Sequence, residues 1–133
     1  MRYMMLLSGT NPATPPPPEL FEAIMKLGGE ATQAGVMLDT AGLLPSAAGA
    51  RVSLTDGKVT VTDGPFTESK EVIGGYWMIE VNSRDEAIAW AKRCPASNNE
   101  VIEIRQVQEM ADFPQEVKQA AAGFAELQRK SGS

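Results

Sequence analysis

The feature that most restricts how this chain can fold is a two-residue Asp-Gly turn between two β-prone runs. Asp56-Gly57 separates residues 51–55 from residues 58–62. A loop of this length and composition is typical of a β-hairpin, because both central positions require a positive φ angle that these two residues tolerate. Aliphatic and polar residues alternate in both runs, so each strand has one apolar face. The sequence therefore predicts a hairpin near the middle of the chain.

Hydrophobic spacing predicts the elements on either side of this hairpin. Apolar residues recur every three or four positions in the helical segments and alternate in the strands. Ser83 and Glu86 form a capping-box sequence at the start of the second helix. In chain order, the predicted elements are a strand at 2–7, a helix at 18–34, a broken or bulged strand made of 36–38 and 42–44, the hairpin, a strand at 73–81, a helix ending before Pro95, a strand at 100–107 and a helix beginning near 112–115.

Without the hairpin, the order is β-α-β-β-α-β, which is the ferredoxin-like arrangement of the α+β class. Its helices cover one face of an antiparallel sheet and leave the other face open. Tyr76 and Trp77 are adjacent in the strand at 73–81, so we expect one to face the helices and the other the open face. Because large apolar patches seldom stay in water, we expect two sheets to pack face to face in a homodimer, with the C-terminal helix extending the contact.

Composition argues against several classes of function. The 133 residues fit one domain, and the formal net charge of -5 without any basic run argues against nucleic-acid binding. The apolar opening MRYMMLL is far shorter than a membrane span. A single cysteine, Cys94, allows no intrachain disulfide. Together these features favour a cytoplasmic protein without nucleic-acid or membrane partners.

The chain contains no histidine. A Ser-His-Asp triad, a histidine-activated cysteine and a histidine-ligated metal site are therefore excluded within one chain. Acid–base chemistry would depend on Asp, Glu, Lys or Tyr with shifted pKa values. We expect no metal site and no cofactor. No catalytic constellation is recognisable, so the sequence leaves open whether the protein is an enzyme.

Residues 62–77, TDGPFTESKEVIGGYW, combine a turn, a charge cluster, a double glycine and two adjacent aromatic residues. One interpretation is a pocket wall with an aromatic platform and polar anchors. The other is structural, with a tight turn, surface charges and a bulge at the glycines, and composition alone favours it. For the pocket interpretation, the predicted ligand-binding residues are Tyr3, Asp63, Phe66, Glu68, Lys70 and Tyr76, and the catalytic candidates are Asp63 or Glu71 as a base and Lys70 as an electrostatic stabiliser.

Other residues receive structural interpretations. Cys94, beside Pro95 at a helix end, is interpreted as a packing residue rather than a nucleophile, because no histidine can activate it. We expect Asp39 and Asp56 in turns and Trp90 in the core.

The string DGPFTESKE followed by GGYWMIEV, together with RYMMLL and AWAKRCP, closely resembles the DGPF group of YCII-related proteins. The resemblance spans residues 1–107 and leaves 108–133 as a C-terminal helical extension. It implies a dimeric α/β-barrel fold with a cleft between sheet and helices. It also implies a link to extracytoplasmic-function sigma factors, since members are often encoded next to them. The His-Asp pair proposed for YCII proteins has no counterpart here, because the chain lacks histidine.

Three functions stay open from the sequence. The first is a dimeric small-molecule-binding or regulatory module, linked by the resemblance to sigma-factor signalling. The second is a weak lyase-like or isomerase-like enzyme acting on small aromatic or lactone compounds. The third is a structural dimer scaffold. The absence of histidine favours the first, because no remaining acid–base pair is matched to neutral pH.

Overall fold

The computed structural model of the chain describes residues 1–9, 17–64, 72–96 and 100–131. Within these ranges the strands are β1 (Arg2–Gly9), β2 (Met37–Gly42), β3 (Ala50–Thr55), β4 (Lys58–Asp63), β5 (Val72–Glu80) and β6 (Val101–Gln106). The α-helices are α1 (Pro18–Gln33), α2 (Arg84–Arg93) and α3 (Gln115–Ser131), and short 3-10 helices occur at Ser46–Ala48 and Met110–Asp112. The predicted order of elements is confirmed, with small shifts at their ends.

Four strands form one antiparallel sheet in the order β2-β5-β1-β6. β1 lies inside the sheet and pairs with β5 on one side and β6 on the other, and β5 also pairs with β2. Strands joined by a helix are therefore separated by a third strand, which is the ferredoxin-like arrangement. The predicted α+β fold class is confirmed. β3 and β4 form a separate two-stranded sheet, which is the predicted hairpin.

Both α1 and α2 pack on the same face of the four-stranded sheet. Tyr3 and Met5 of β1 and Ile79 of β5 lie in one buried cluster with Ala31 of α1 and Ala87 of α2. Burying such side chains stabilises the fold by about 25 cal/mol for each Å² of apolar surface removed from water. The small size of the two alanines lets the helices approach the sheet closely. We call this side of the sheet the helix-facing side and the other the open face.

The two aromatic residues of β5 lie on opposite sides of the sheet. Trp77 pairs with Met5 and packs against the core cluster, so it lies on the helix-facing side. Tyr76 pairs with Leu6 and lies on the open face. The alternation predicted for this strand is confirmed, and the structure decides which aromatic residue takes which side.

Side-chain contacts fix the ends of α2. At its start, the Ser83 hydroxyl accepts a hydrogen bond from the Glu86 backbone N–H at 3.1 Å, as expected of an N-cap. The Glu86 carboxylate accepts from the backbone N–H of Asn82 at 2.9 Å, one residue before the cap. At its end, Arg93 pairs with Glu30 of α1 and lies 5.0 Å from the Trp90 ring centroid. The charge pair joins α2 to α1, and the cation–π contact lies within α2.

The region predicted as a broken or bulged strand contains the single strand β2. Its pairing with β5 has a register irregularity between Met37 and Asp39, which accounts for the interrupted alternation in the sequence. The prediction that Asp39 lies in a turn is therefore wrong, because the strand continues through it. Asp56 is at the hairpin turn with a φ angle of 52°, as predicted.

α3 follows β6 through a short connection that is held by polar contacts. The Arg2 side chain donates to Glu109 at 3.2 Å, and the Glu109 backbone N–H donates to Asp112 at 2.8 Å. The apolar side chains Val117, Phe124 and Leu127 of α3 are all exposed. Among the helices, none within the part of the chain that the structure covers is long and apolar enough to cross a membrane.

Gly75 of β5 lies opposite Gly42 of the edge strand β2. A Cβ atom at this position would be 3.0 Å from the Ala41 carbonyl oxygen, whereas one at Gly74 would be 4.0 Å from its nearest neighbour, the Leu7 carbonyl oxygen. We expect Gly75→Val to destabilise the protein by about 1–3 kcal/mol, because the added carbons must displace backbone. Thermal denaturation measures this, with Gly74→Val as the matched control. An unchanged melting temperature for Gly75→Val would mean that the glycine is incidental.

Gly64, the glycine of the DGPF string, packs against the 3-10 helix that precedes β3. Its backbone N–H donates to the Gly49 carbonyl at 2.9 Å, and an added methyl group would overlap the Ser46 carbonyl oxygen. We expect Gly64→Ala to lower the free energy of unfolding by about 1–3 kcal/mol. At Gly49 the same methyl group would lie 3.6 Å from that oxygen, an ordinary contact. In urea titrations, equal midpoints for Gly64→Ala and Gly49→Ala would contradict this account.

Candidate functional site

A tyrosine and an aspartate form a hydrogen-bonded pair on the open face. The Tyr76 hydroxyl donates to Asp39 Oδ2 at 2.8 Å, and the Thr40 backbone N–H donates to Asp39 Oδ1 at 2.8 Å. The Thr40 hydroxyl donates to the Tyr76 carbonyl oxygen at 3.0 Å. Both carboxylate oxygens of Asp39 are therefore engaged, and side chains reinforce the pairing of β2 with β5.

The strand register explains how these two side chains meet. Ala41 is opposite Tyr76, and Asp39 is opposite Met78. Asp39 and Tyr76 are thus diagonal neighbours on one face of an antiparallel pair, at a distance that a long aromatic side chain can span. The register irregularity after Met37 is what gives Asp39 this position.

Partly buried apolar side chains lie beside the pair. Leu6 of β1 is directly opposite Tyr76, and Met4 is opposite Met78. Leu6, Met4 and Met78 therefore form an apolar strip along the middle of the open face. Methionine side chains can adapt their shape to different partners. The strip offers an apolar surface next to hydrogen-bond acceptors.

Charged side chains border the strip on β6. Glu103 is opposite Leu6, and Arg105 is opposite Met4. The Arg105 Nε atom lies 3.9 Å from Glu103 Oε2, and both side chains are largely exposed. The open face therefore has an acidic and phenolic edge on β2 and β5, an apolar middle and a mixed-charge edge on β6. This arrangement can hold a small molecule with an apolar body and a hydrogen-bond donor.

The hydrogen bond to Asp39 raises the pKa of Tyr76, and desolvation and the negative charge of Asp39 raise it further. Tyr76 is therefore a neutral phenol at neutral pH, and its hydroxyl proton is donated to the Asp39 carboxylate. It can accept a hydrogen bond from a ligand, but it cannot act as a base there. The chemistry of the pair is that of binding and orientation.

The structure places three of the residues predicted as ligand-binding. Tyr76 is on the open face, as described above. Tyr3 is 4% exposed and lies in the core on the helix-facing side, where it pairs with Ile79. Asp63 is exposed at the end of β4 in the separate two-stranded sheet. Tyr76 and Tyr3 are thus on opposite sides of the sheet, and their roles in binding stay predictions.

The remaining predicted residues, Phe66, Glu68, Lys70 and Glu71, lie outside the described residues. Their proposed roles as platform, anchors, base and stabiliser therefore stay predictions.

Sequence reasoning missed Asp39. An aspartate near glycine and small residues is typical of a turn, so the local pattern pointed away from a strand. Its partner Tyr76 is 37 positions away. Only the pairing of β2 with β5 brings the two together, and no local spacing carries that information.

An apolar hollow of about 280 Å³ lies on the helix-facing side, between α2 and β6. Its lining consists of Ile88, Ala91, Lys92, Ile102 and Ile104. It lies on the side where the family resemblance implies a cleft. Of the described residues in this lining, Lys92 alone is charged, so this part of the hollow offers apolar contact and little hydrogen bonding.

Cys94 is half-buried at the end of α2 and packs against the core cluster. Burial raises the pKa of its thiol, and the negative charge of Glu100 raises it further. The thiol is therefore protonated at neutral pH, which supports its interpretation as a packing residue. Among the described residues, no three His, Cys, Asp or Glu side chains come together as a metal site.

We expect Asp39→Asn to lower the pKa of Tyr76 toward that of an ordinary tyrosine, because the amide removes both a charged acceptor and its negative field. The absorbance of tyrosinate, measured as a function of pH, reports this pKa. Subtracting the titration curve of Tyr76→Phe removes the signal of the other tyrosine and isolates that of Tyr76. The hydrogen bond exists only while Tyr76 is protonated. Its contribution to the free energy of unfolding is therefore present below the ordinary pKa of tyrosine and is lost as pH rises through the raised pKa of Tyr76. Asp56→Asn, at the hairpin turn, is the matched control. An identical titration in Asp39→Asn would contradict the assignment.

A search of curated proteins returns no significant match to the chain. A family model for the YCII-related domain matches residues 1–111, which include the whole four-stranded sheet and end before α3. The chain therefore belongs to the YCII-related domain family.

Proposed function

We propose that the protein is a homodimeric small-molecule-binding module whose ligand contacts Tyr76 and Asp39 on the open face of the sheet. The observation that carries this proposal is the 2.8 Å hydrogen bond from the Tyr76 hydroxyl to Asp39, beside the apolar strip of Met4, Leu6 and Met78. A few convergent polar groups next to an apolar surface are the usual composition of a ligand site.

The hydrogen bonds already formed restrict the chemistry of the ligand. The Tyr76 hydroxyl proton is donated to Asp39, so the hydrogen-bonding positions that remain on these two side chains are acceptor lone pairs. A ligand must then supply the donor, and its body must suit the apolar strip. Small aromatic compounds with a hydroxyl or amino group meet both conditions. Aromatic carboxylates are disfavoured, because their charge would approach that of Asp39.

Binding explains the pair better than catalysis does. The pKa of Tyr76 is raised, so it is not a tyrosinate base at neutral pH. Asp39 accepts two hydrogen bonds, so each of its carboxylate oxygens already has a donor from the protein itself. An enzyme would need Lys70 and one of the two bases predicted from the sequence, Asp63 or Glu71, to enter the same site.

A homodimer would complete this site. α1 and α2 cover the helix-facing side, and a second copy placed on the open face would exclude water from the apolar strip and from Tyr76. A ligand held between two copies would bind the dimer and not the monomer, and it would therefore stabilise the dimer. Such a coupling is one route by which a ligand could act on a sigma factor, the partner that the family resemblance implies.

A thermal-shift screen with phenols, aromatic amines and benzoates tests the proposed site. We expect phenols or amines to raise the melting temperature and benzoates to leave it unchanged, because a ligand of the native state stabilises it. Asp39→Asn should weaken binding by about tenfold and Tyr76→Phe by about fivefold, as expected for one charged and one neutral hydrogen bond. Isothermal titration calorimetry measures both ratios.

The controls separate this site from the alternatives. Asp56→Asn makes the same chemical change in the separate hairpin and should bind ligand normally. Lys70→Ala is expected from the sequence to lose ligand with little change in stability, and retained binding would exclude Lys70 as an anchor. Unchanged affinity in Asp39→Asn would exclude the open-face site. A screen without any binding compound would favour a structural scaffold.

A further inference from the structure

We propose that the β3-β4 hairpin is a dimerisation arm, whose apolar face packs against a second copy of the chain. This inference rests on the homodimer proposed above and assigns a second part of its interface.

The apolar face of the hairpin is built by the strand register. Val52 is directly opposite Val61, and Leu54 is directly opposite Val59, so all four side chains lie on the same side. Their exposed fractions are 69%, 64%, 74% and 70%, in the same order. These four residues, which we call the hairpin face, form a continuous aliphatic surface in contact with solvent.

The opposite side of the hairpin is polar. Ser53 pairs with Thr60, and Arg51 pairs with Thr62. The hairpin is therefore amphipathic, with one side suited to water and one suited to a protein surface. A solvent-exposed loop would not need this segregation, because it could carry polar residues on both sides.

A two-stranded hairpin of this kind gains little from standing alone. An isolated hairpin is marginally stable in water, and stability normally requires packing of its apolar side. β3 and β4 form their own sheet, separate from the four-stranded one. Covering the hairpin face would both stabilise these strands and remove a contiguous apolar patch from water.

Among the residues that the structure describes, none covers the hairpin face. α3 has an apolar stripe, but Phe124 and Leu127 in it are themselves exposed, and the hairpin face is exposed too. The sequence of residues 10–16, TNPATPP, contains no large aliphatic or aromatic side chain. Residues 65–71 contain one, Phe66, which is too little for four aliphatic residues. The cover must therefore come from another molecule.

The area of the proposed dimer points to a second copy. With strands about 4.8 Å apart and about 3.3 Å of rise per residue, the open face covers about 400 Å² in each copy, or about 800 Å² in a face-to-face pair. Specific dimers usually bury about 1,200–2,000 Å² in total. The sheet faces alone are therefore too small.

The hairpins supply the missing area. By the same spacings, each hairpin face covers about 200 Å² and would cover a similar area on the other copy. A twofold axis repeats this contact, so two hairpins add about 800 Å² and bring the total to about 1,600 Å², the size of a standard interface.

Charge argues against a membrane as the occupant. The hairpin carries two basic residues, Arg51 and Lys58, and two acidic residues, Asp56 and Asp63. Attraction to an anionic bilayer requires a cluster of basic residues, and the chain as a whole has a net charge of -5. A neutral, aliphatic hairpin is better suited to the surface of another protein subunit.

Sedimentation velocity over a concentration series tests the inference on the full chain. We expect wild-type protein to dimerise and the single variants Leu54→Lys and Val59→Lys to raise the dimer dissociation constant at least tenfold. Ser53→Lys and Thr60→Lys place the same charge on the same strands but on the polar side, and they should dimerise like wild type. Val52→Thr combined with Val61→Thr keeps shape and strand propensity, and we expect severalfold weaker dimerisation without loss of the fold.

The outcomes separate this inference from the proposed function. If all hairpin variants have the dimer dissociation constant of wild type, the hairpin is not a dimerisation arm, and the dimer formed by the sheet faces stays as proposed. A wild-type chain that stays monomeric would overturn both the arm and the dimer. As long as the wild-type chain dimerises, ligand affinity measured with Asp39→Asn tests the open-face site separately from the arm.

Discussion

The pairing of β1 with β5 is the interaction on which the remaining structure depends. Its register places Tyr3 opposite Ile79 in the core and Leu6 opposite Tyr76 on the open face. Because side chains alternate along a strand, a slip by one residue would exchange the two sides and expose Trp77. The pairing also positions the outer strands, since β6 aligns on β1 and β2 aligns on β5. Core, apolar strip and polar pair are thus consequences of one alignment.

The contact between Tyr76 and Asp39 links the edge strand β2 to this alignment. A charge-assisted hydrogen bond on an exposed face contributes modestly to stability, but it fixes the orientation of two side chains that could otherwise rotate freely. The same bond that raises the pKa of Tyr76 also keeps the carboxylate directed along the sheet. Orientation and protonation state therefore have a single cause.

Local patterns in the sequence were sufficient for the fold. The Asp56-Gly57 turn, the Ser83 cap and the alternation in β5 each carry their own physical reason, and the ferredoxin-like order followed from them. Asp39 could not be placed in this way, because its surroundings resemble a turn and its partner lies on another strand. The choice between Tyr76 and Trp77 likewise required the helices, since alternation alone gives two equivalent answers. Long-range pairing is what the local patterns leave undetermined.

The two sheets differ in how far apart along the chain their paired residues are, and this has a kinetic consequence. β3 and β4 pair across a two-residue turn, whereas β1 pairs with β5 and β6 across most of the chain. Local pairs form in microseconds, while distant strands must first close long loops. The hairpin can therefore form transiently before the sheet is complete, and its aliphatic side is then exposed on the folding chain. Folding at high concentration thus competes with premature association through the same surface.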